Sequence, residues 1–190
     1  MSKSILRKKL IRKRQIKNKN SISISSKKFY NLIKNYDLNN ITVGGYYPVN
    51  YEVDDLDLLQ ELSKKQITIS LPAISKKNCM DYYTWSFSNI LNINKYGIPE
   101  PEKKRLVYPD ILIVPMVAFD ERLYRLGYGG GYYDRYIEKI SFKKKTLLIG
   151  LAHTCQKVSR IPNNKYDRKI FVYIFNIYAS YKNEINKNDL

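Results

Sequence analysis

Residues 125–134 read RLGYGGGYYD, and four of the chain's eight glycines lie within them: Gly127, Gly129, Gly130 and Gly131. An apolar run, Ile111 to Phe119 (ILIVPMVAF), comes just before, and a helix-compatible run, Tyr132 to Ile140, follows. Glycine frees the backbone to take positive φ and lets a ligand approach the main chain with no Cβ in the way. A glycine loop that opens a helix aims several N–H groups and the positive end of the helix dipole at one spot, which suits a phosphate. Arg125 and Arg135 flank the loop and Asp134 closes it. That combination points to a phosphate, a metal and a planar cationic clamp. A tight turn between strand and helix also accounts for the glycines. Two nucleotide motifs are excluded. Tyr132 stands where a Rossmann loop needs its third glycine, and no Gly-Lys-Ser/Thr follows as in a Walker A loop.

Working outward, the flanking segments alternate. Lys3 to Asn18 reads as a basic helix with Ile5, Leu6, Leu10 and Ile11 on an uneven apolar face and Lys3, Arg7, Lys8, Lys9, Arg12, Lys13 and Arg14 on the others. Either the cations are simply solvated, or some of them point into an anion site. Ser25 or Ser26 can cap a second helix to about Asn35. Ile41 to Tyr47 is a strand candidate, Asp54 or Asp55 starts a helix through Lys64, and Ile67 to Leu71 is a strand closed by Pro72. Their spacing suggests a parallel βαβ unit.

Met80 to Phe87 reads as extended, and Ser88 to Tyr108, with Gly97, Pro99 and Pro101, as a shaped irregular loop. Ile111 to Val117, Thr146 to Leu151 and Phe171 to Phe175 are apolar on successive positions, as central strands are. The order predicts an α/β fold with a mostly parallel sheet. It forms one domain over residues 1–190, with helices in 1–36 and a polar tail over 180–190. Ligands of such sheets bind beyond the carboxyl ends of the strands. Three such ends hold polar candidates: Tyr47 to Glu52, Phe119 to Asp134 and Ala152 to Asp167.

Composition narrows the function classes. Apolar residues are 44% of 190, enough for a globular core. No apolar stretch reaches the ~20 residues of a membrane span, and no secretory signal follows the basic N-terminus. Cys79 and Cys155 fit no metal spacing and suggest a reduced, cytoplasmic protein. The net charge of +17 invites a nucleic-acid reading. Abundant Lys, Asn, Ile and Tyr, all encoded by A- and T-rich codons, explain much of that charge without a polyanion partner. A non-catalytic RNA-binding module stays as the alternative.

Glu52, just past a strand, could accept hydrogen bonds from the amino groups of a heterocycle, or serve as a helix-start carboxylate. Asp134 and Asp167 are hard oxygen donors suited to one Mg²⁺ shared with phosphates. His153, the one histidine, reads as structural. The sequence singles out no Ser-His-Asp or Cys-His arrangement, so the chemistry expected is electrostatic.

Pro109 to Asp120 (PDILIVPMVAFD) followed by Arg125 to Asp134 resembles the signature of the 5-formyltetrahydrofolate cyclo-ligase family, also called methenyltetrahydrofolate synthetases, in its bacterial form. Lys3 to Arg7 (KSILR), Tyr47 to Glu52 (YPVNYE), Tyr96 to Pro101 (YGIPEP), Gly150 to Gln156 (GLAHTCQ) and Pro162 to Asp167 (PNNKYD) resemble further segments in the same order. Two departures stand out. Asp120 to Leu126 lacks a glycine common before the loop, and Asp167 is followed by Arg168, Lys169 and Ile170 instead of a short apolar stretch with proline.

The resemblance implies a three-layer α/β sandwich similar to sugar-phosphate isomerases and CoA transferases. It implies conversion of 5-formyltetrahydrofolate and MgATP to 5,10-methenyltetrahydrofolate, ADP and phosphate. Lys3, Ser4, Ile5, Leu6 and Arg7, with Arg125, Leu126, Gly127, Tyr128, Gly129, Gly130, Gly131, Tyr132 and Tyr133, would hold ATP. Tyr47, Glu52, Tyr128, Gly129, Gly130, Gly131 and Tyr132 would line the folate pocket. Asp134 and Asp167 would bind Mg²⁺, and Lys3, Arg7 and Arg125 would neutralise charge during phosphoryl transfer. The partners implied are ATP and a folate that can carry a polyglutamate tail, acting on a monomer. An isomerase or acyl transferase of the same architecture is a third possibility, though it gives no reason for ATP use.

Overall fold

Ile111, Leu112, Ile113 and Val114 are all buried. Successive side chains of a strand point to opposite faces, so such a strand must be covered on both sides. The computed structural model, which describes residues 2–17, 24–38, 40–75, 79–162 and 169–175, shows what covers it. The chain runs α1 (Lys3–Lys17), α2 (Ser26–Ile33), β1 (Thr42–Gly44), α3 (Leu56–Lys64), β2 (Thr68–Ile74), β3 (Met80–Thr84), β4 (Leu91–Ile93), β5 (Pro99–Pro101), β6 (Leu106–Val107), β7 (Ile111–Val114), β8 (Ala118–Phe119), β9 (Arg125–Leu126), α4 (Tyr132–Ser141), β10 (Leu147–His153) and β11 (Phe171–Phe175).

The main sheet has the order β11-β10-β7-β1-β2-β3-β6. Its first four pairings are parallel, and β2–β3 and β3–β6 are antiparallel. Strands β1 and β2, joined through α3, are parallel neighbours, as the βαβ spacing predicts. Ile111 and Ile113 of β7 pack with Phe29, Ile33, Leu59 and Leu62, the apolar faces of α2 and α3. Leu112 and Val114 point the other way, onto Tyr136, Ile137 and Ile140 of α4. Helices therefore cover both faces of a mostly parallel sheet, the α/β class read from the sequence.

Leu6 and Leu10 of α1 join a third cluster with Val117, Ala118, Leu126 and Ile161, which docks the first helix beside the β8–β9 hairpin. Among the described residues, no helix is long and apolar enough to cross a membrane.

Several boundaries differ from the sequence reading, each for a local reason. Pro72 does not end β2, which continues to Ile74. Beyond Ser70 the strand has left β1 and pairs only with β3, so one edge is open and a missing N–H costs little. Residues 88–108 are not wholly irregular, for they contain the β4–β5 hairpin and β6. The expected strand Ile111 to Val117 stops at Val114, before Pro115, and Ala118–Phe119 folds back on Arg125–Leu126.

That hairpin lacks a turn glycine, and Leu123 takes the left-handed conformation instead, at φ 67°. Asp120 compensates. Its carboxylate accepts from the backbone N–H of Arg122 (3.0 Å), Tyr124 (3.2 Å) and Ile161 (2.9 Å). Ser25 caps α2, accepting from Lys28 N–H at 3.4 Å. Cys79 and Cys155 are both free thiols. The polar tail expected from residue 180, and Asp167, lie outside the described residues.

Candidate active site at the carboxyl ends of β1, β7 and β10

Strands β10, β7 and β1 are adjacent and parallel, so their carboxyl ends open at one edge of the sheet. Three segments leave from that edge: Gly45 to Asp55 after β1, Pro115 onward after β7, and the turn Thr154–Gln156 after β10. Over them lies the glycine loop. Gly129 (φ 105°) and Gly131 (φ 67°) adopt conformations that L side chains rarely take, and Gly131 is the N-cap of α4 with no side chain capping it. The loop ends where the first-turn amides of α4 begin, as a phosphate cradle requires.

Helix α1 reaches this loop. Arg7 donates from Nε to Gly127 O at 2.7 Å. Its guanidinium carbon lies 3.3 Å from where a Cβ on Gly129 would stand, so the side chain rests on the bare face of that glycine. Lys3, four residues earlier, is half-buried on the same side of α1. Ser4 and Ile5 are exposed, whereas Leu6 and Leu126 are core residues. On the other flank Arg135 donates to Gly130 O at 2.8 Å.

Arg125 and Asp134 bond each other across the loop. Arg125 Nη2 stands 2.7 Å from Asp134 Oδ1, with the arginine side chain 4% exposed and the aspartate 32%. The sequence suggests a separate ligand for each. Their pairing closes the base of the loop, with one end on β9 and the other in the first turn of α4. Among the described residues no group of three or more His, Cys, Asp or Glu could hold a metal ion. Asp134 Oδ1 is taken by Arg125, and the aspartate side chain keeps 32% exposure at the mouth of the loop.

Glu52 is buried, at 6% exposure, beside Tyr128 of the loop. It accepts from Val49 N–H at 2.8 Å within a turn closed by Glu52 N–H to Val49 O at 3.0 Å. It lies before α3 and outside that helix's first turn, so the helix-start alternative does not apply. Burial raises its pKa to about 7, against the opposing pull of the Val49 amide, the Arg14 charge and the Tyr128 hydroxyl. Tyr47 is half-buried nearby in sequence. Tyr128 presents part of its ring to solvent and its hydroxyl to Arg14, so the loop's first tyrosine closes the wall above Glu52. Tyr132 reaches the Tyr96 hydroxyl at 2.8 Å, and Tyr133 reaches Tyr82 at 3.3 Å.

Two residues of this centre were not singled out from the sequence. Arg14, read there as one of several outward cations, is 1% exposed. Lys3, Arg7, Leu10 and Arg14 are spaced four, three and four apart, the stripe of one helix face, and that periodicity was the signal for it. Asp55 is wholly buried, accepts Tyr46 N–H at 3.1 Å through Oδ2, and leaves Oδ1 without a partner. His153 is buried with Nε2 unpartnered, and burial, then Arg14, lower its pKa, so it stays neutral at physiological pH.

Comparison with known proteins places the chain in a family. The sequence model of the 5-formyltetrahydrofolate cyclo-ligase family matches residues 1–175. The 5-formyltetrahydrofolate cyclo-ligase of Haemophilus influenzae is 32% identical over 148 residues, covering 74% of this chain and 78% of that protein. The Escherichia coli K12 protein of the same name is 34% identical over 134 residues, 66% of this chain and 72% of its own. The solution structure of Aquifex aeolicus 5,10-methenyltetrahydrofolate synthetase superposes with a TM-score of 0.69 at 28% identity, over 98% of this chain and 100% of that one. A match along nearly the whole chain, with the glycine loop, the basic first helix and Glu52 gathered at one sheet edge, leads to one conclusion: the chain belongs to the 5-formyltetrahydrofolate cyclo-ligase family.

Proposed function

We propose that this chain cyclises 5-formyltetrahydrofolate to 5,10-methenyltetrahydrofolate, with conversion of ATP to ADP and phosphate. The observation that carries the reading is the shared wall: the loop that suits a phosphate also presents Tyr128 to the buried Glu52. Two substrates can therefore meet at the loop, a triphosphate above and a folate ring below.

The formyl oxygen of the folate attacks the γ-phosphorus of ATP, and ADP leaves. The resulting iminium phosphate is attacked at carbon by the neighbouring aryl-amine nitrogen. The five-membered ring closes, and phosphate departs with the former formyl oxygen. The substrate is the nucleophile in both steps, so no Ser, Cys or His is required. The protein's part is alignment and charge neutralisation.

Lys3 and Arg7 bring cations from α1 to the loop. Gly127 to Tyr133 offer the backbone cradle. Tyr47, Glu52, Tyr128 and Tyr132 bound the pterin, with Glu52 accepting from its amino groups. Arg125, buried against Asp134, acts on the phosphates through the loop that it closes. Asp134, together with Asp167, would hold Mg²⁺, which would supply positive charge to the phosphate oxygens. Two free thiols fit a cytoplasmic protein, and surplus lysines can attract a polyglutamate tail.

The test is direct, because the methenyl product absorbs in the near ultraviolet. Folded protein given 5-formyltetrahydrofolate, Mg²⁺ and ATP should raise that absorbance, and each component should be required. A flat trace from folded protein refutes the assignment.

A further inference from the structure

Arg14 takes no part in the steps above, yet it is the most enclosed cation in the centre. Its guanidinium joins three segments far apart in sequence. Nη1 donates to Met116 O at 3.0 Å, Nη2 donates to Asn50 O at 2.5 Å, and Nη2 also donates to the Tyr128 hydroxyl. Those acceptors belong to the segment after β7, the Glu52 turn and the glycine loop. A planar fork with fixed donor directions can set three partners relative to one another, which a flexible ammonium cannot do.

The Glu52 turn needs such support. Asn50 and Tyr51 both sit in left-handed backbone conformations, at φ 49° and 62°. For non-glycine residues such strain persists only where surroundings enforce it. Arg14 holds the Asn50 carbonyl, and its neighbour Gln15 donates from Nε2 to the Tyr51 hydroxyl at 3.2 Å. Meanwhile Arg14 Nε has no partner, and burying a guanidinium with an open donor is costly to folding. The arrangement favours the geometry of the site over stability.

We propose that Arg14 is a positioning residue for the folate side of the reaction: its guanidinium fixes the Val49–Glu52 turn and the Tyr128 hydroxyl against each other, so that Glu52 meets the pterin in one orientation. The proposal rests on the folate reading of Glu52. The groups around Glu52 are Arg14 from α1, Tyr128 from the loop, Tyr133 from α4, and Tyr46, Asp54 and Asp55 from its own segment, with His153 of β10 near Arg14. Arg14 is the cation that lowers the pKa of the Glu52 carboxyl. Loss of its charge should therefore move folate binding to higher pH, whereas a purely structural loss would not.

The experiment uses Arg14→Met and Arg14→Lys, each with and without Tyr128→Phe. It measures KM for 5-formyltetrahydrofolate and for ATP between about pH 6 and pH 9, with urea melts as a check on folding. Equilibrium binding of 5-formyltetrahydrofolate without ATP is measured on the same set. Arg14→Met should raise the folate KM and Kd by about tenfold, with the ATP KM changed less than about twofold. Its folate pH limb should shift upward, and Arg14→Lys should restore the limb while leaving part of the affinity loss. Tyr128→Phe should add little on top of Arg14→Met.

Folded Arg14→Met with wild-type folate binding and pH dependence overturns the proposal, as does an equal weakening of ATP and folate. If Arg14→Met does not fold, Arg14→Lys and Tyr128→Phe decide, and unchanged folate Kd in both overturns it. A wild-type protein that binds folate but never turns over defeats the cyclisation reading alone, since the Kd series still tests Arg14.

Discussion

Arg125 and Asp134 are nine residues apart and bonded at 2.7 Å, so the glycine loop between them is a closed ring of chain, not an open bend. The arginine is almost fully enclosed while the carboxylate is one-third exposed. Removing Asp134 takes an ion-pair partner from a nearly enclosed cation, whereas removing Arg125 leaves a carboxylate that water can reach. In urea, Asp134→Ala should therefore cost more stability than would be expected for an exposed acid. A double-mutant cycle should give a coupling of about 1–2 kcal/mol. Both single variants should lose turnover, and Arg125→Lys should not rescue it, because a lysine lacks the planar fork.

Gly129→Ala tests the contact with α1. At φ 105° an alanine is strained, and its Cβ would lie 3.3 Å from the Arg7 guanidinium carbon and 3.4 Å from Nη1. Arg7 must give way by a few tenths of an ångström, which disturbs its bond to Gly127 O. The expected result is a rise in the ATP KM of about tenfold or more and a smaller change in the folate KM, read from initial rates.

Glu52 sets a pH dependence. Its carboxyl, with a pKa raised to about 7, is ionised in only part of the molecules at neutral pH. The ionised form is the better acceptor for pterin amino groups. The folate KM should therefore fall as pH rises through about 7. Glu52→Gln should abolish that limb and raise the folate KM at pH 8 by ~10²-fold.

Asp55 should make the fold less stable in base. Burial raises its pKa well above the ordinary aspartate value, so the native state keeps a proton that the unfolded chain releases. Where the native state binds more protons, stability falls with rising pH, and the loss begins above the unfolded value of about 4. Glu52 adds to the slope between its unfolded value and about 7. Asp55→Asn should flatten the curve, equalling or exceeding wild type near pH 8 and losing that advantage near pH 4, as followed by thermal melts across pH.

The legible part of this molecule was its central frame. Strands β7, β10 and β11 are runs of successive apolar residues, and α4 follows a glycine cluster, so pattern and placement agree. Pro72 misled because its effect depends on whether a neighbouring strand pairs there, which is a property of the sheet and not of the residue. The hairpin in residues 88–108 was hidden by its own prolines, since Pro99 and Pro101 lie in a two-stranded sheet.

Within the site, the glycine loop and Glu52 were visible from their neighbours in sequence. Arg14 was not, because eight basic residues crowd α1 and only packing shows which is enclosed. The pairing of Arg125 with Asp134 was equally hidden, for each residue alone suggests a ligand and only the fold turns them toward each other.

The reach of α1 bears on how the protein is made. Arg7 bonds a residue 120 positions downstream, and Arg14 bonds residues 102 and 114 positions downstream. During synthesis the first helix emerges well before any of these acceptors exists. Its burial must wait until β8, β9, the loop and Ile161 have been translated, so the centre closes late and depends on contacts of long sequence separation. Early in its life the nascent chain carries an uncovered basic helix, and docking of that helix is the event that turns a folded sheet into a competent site.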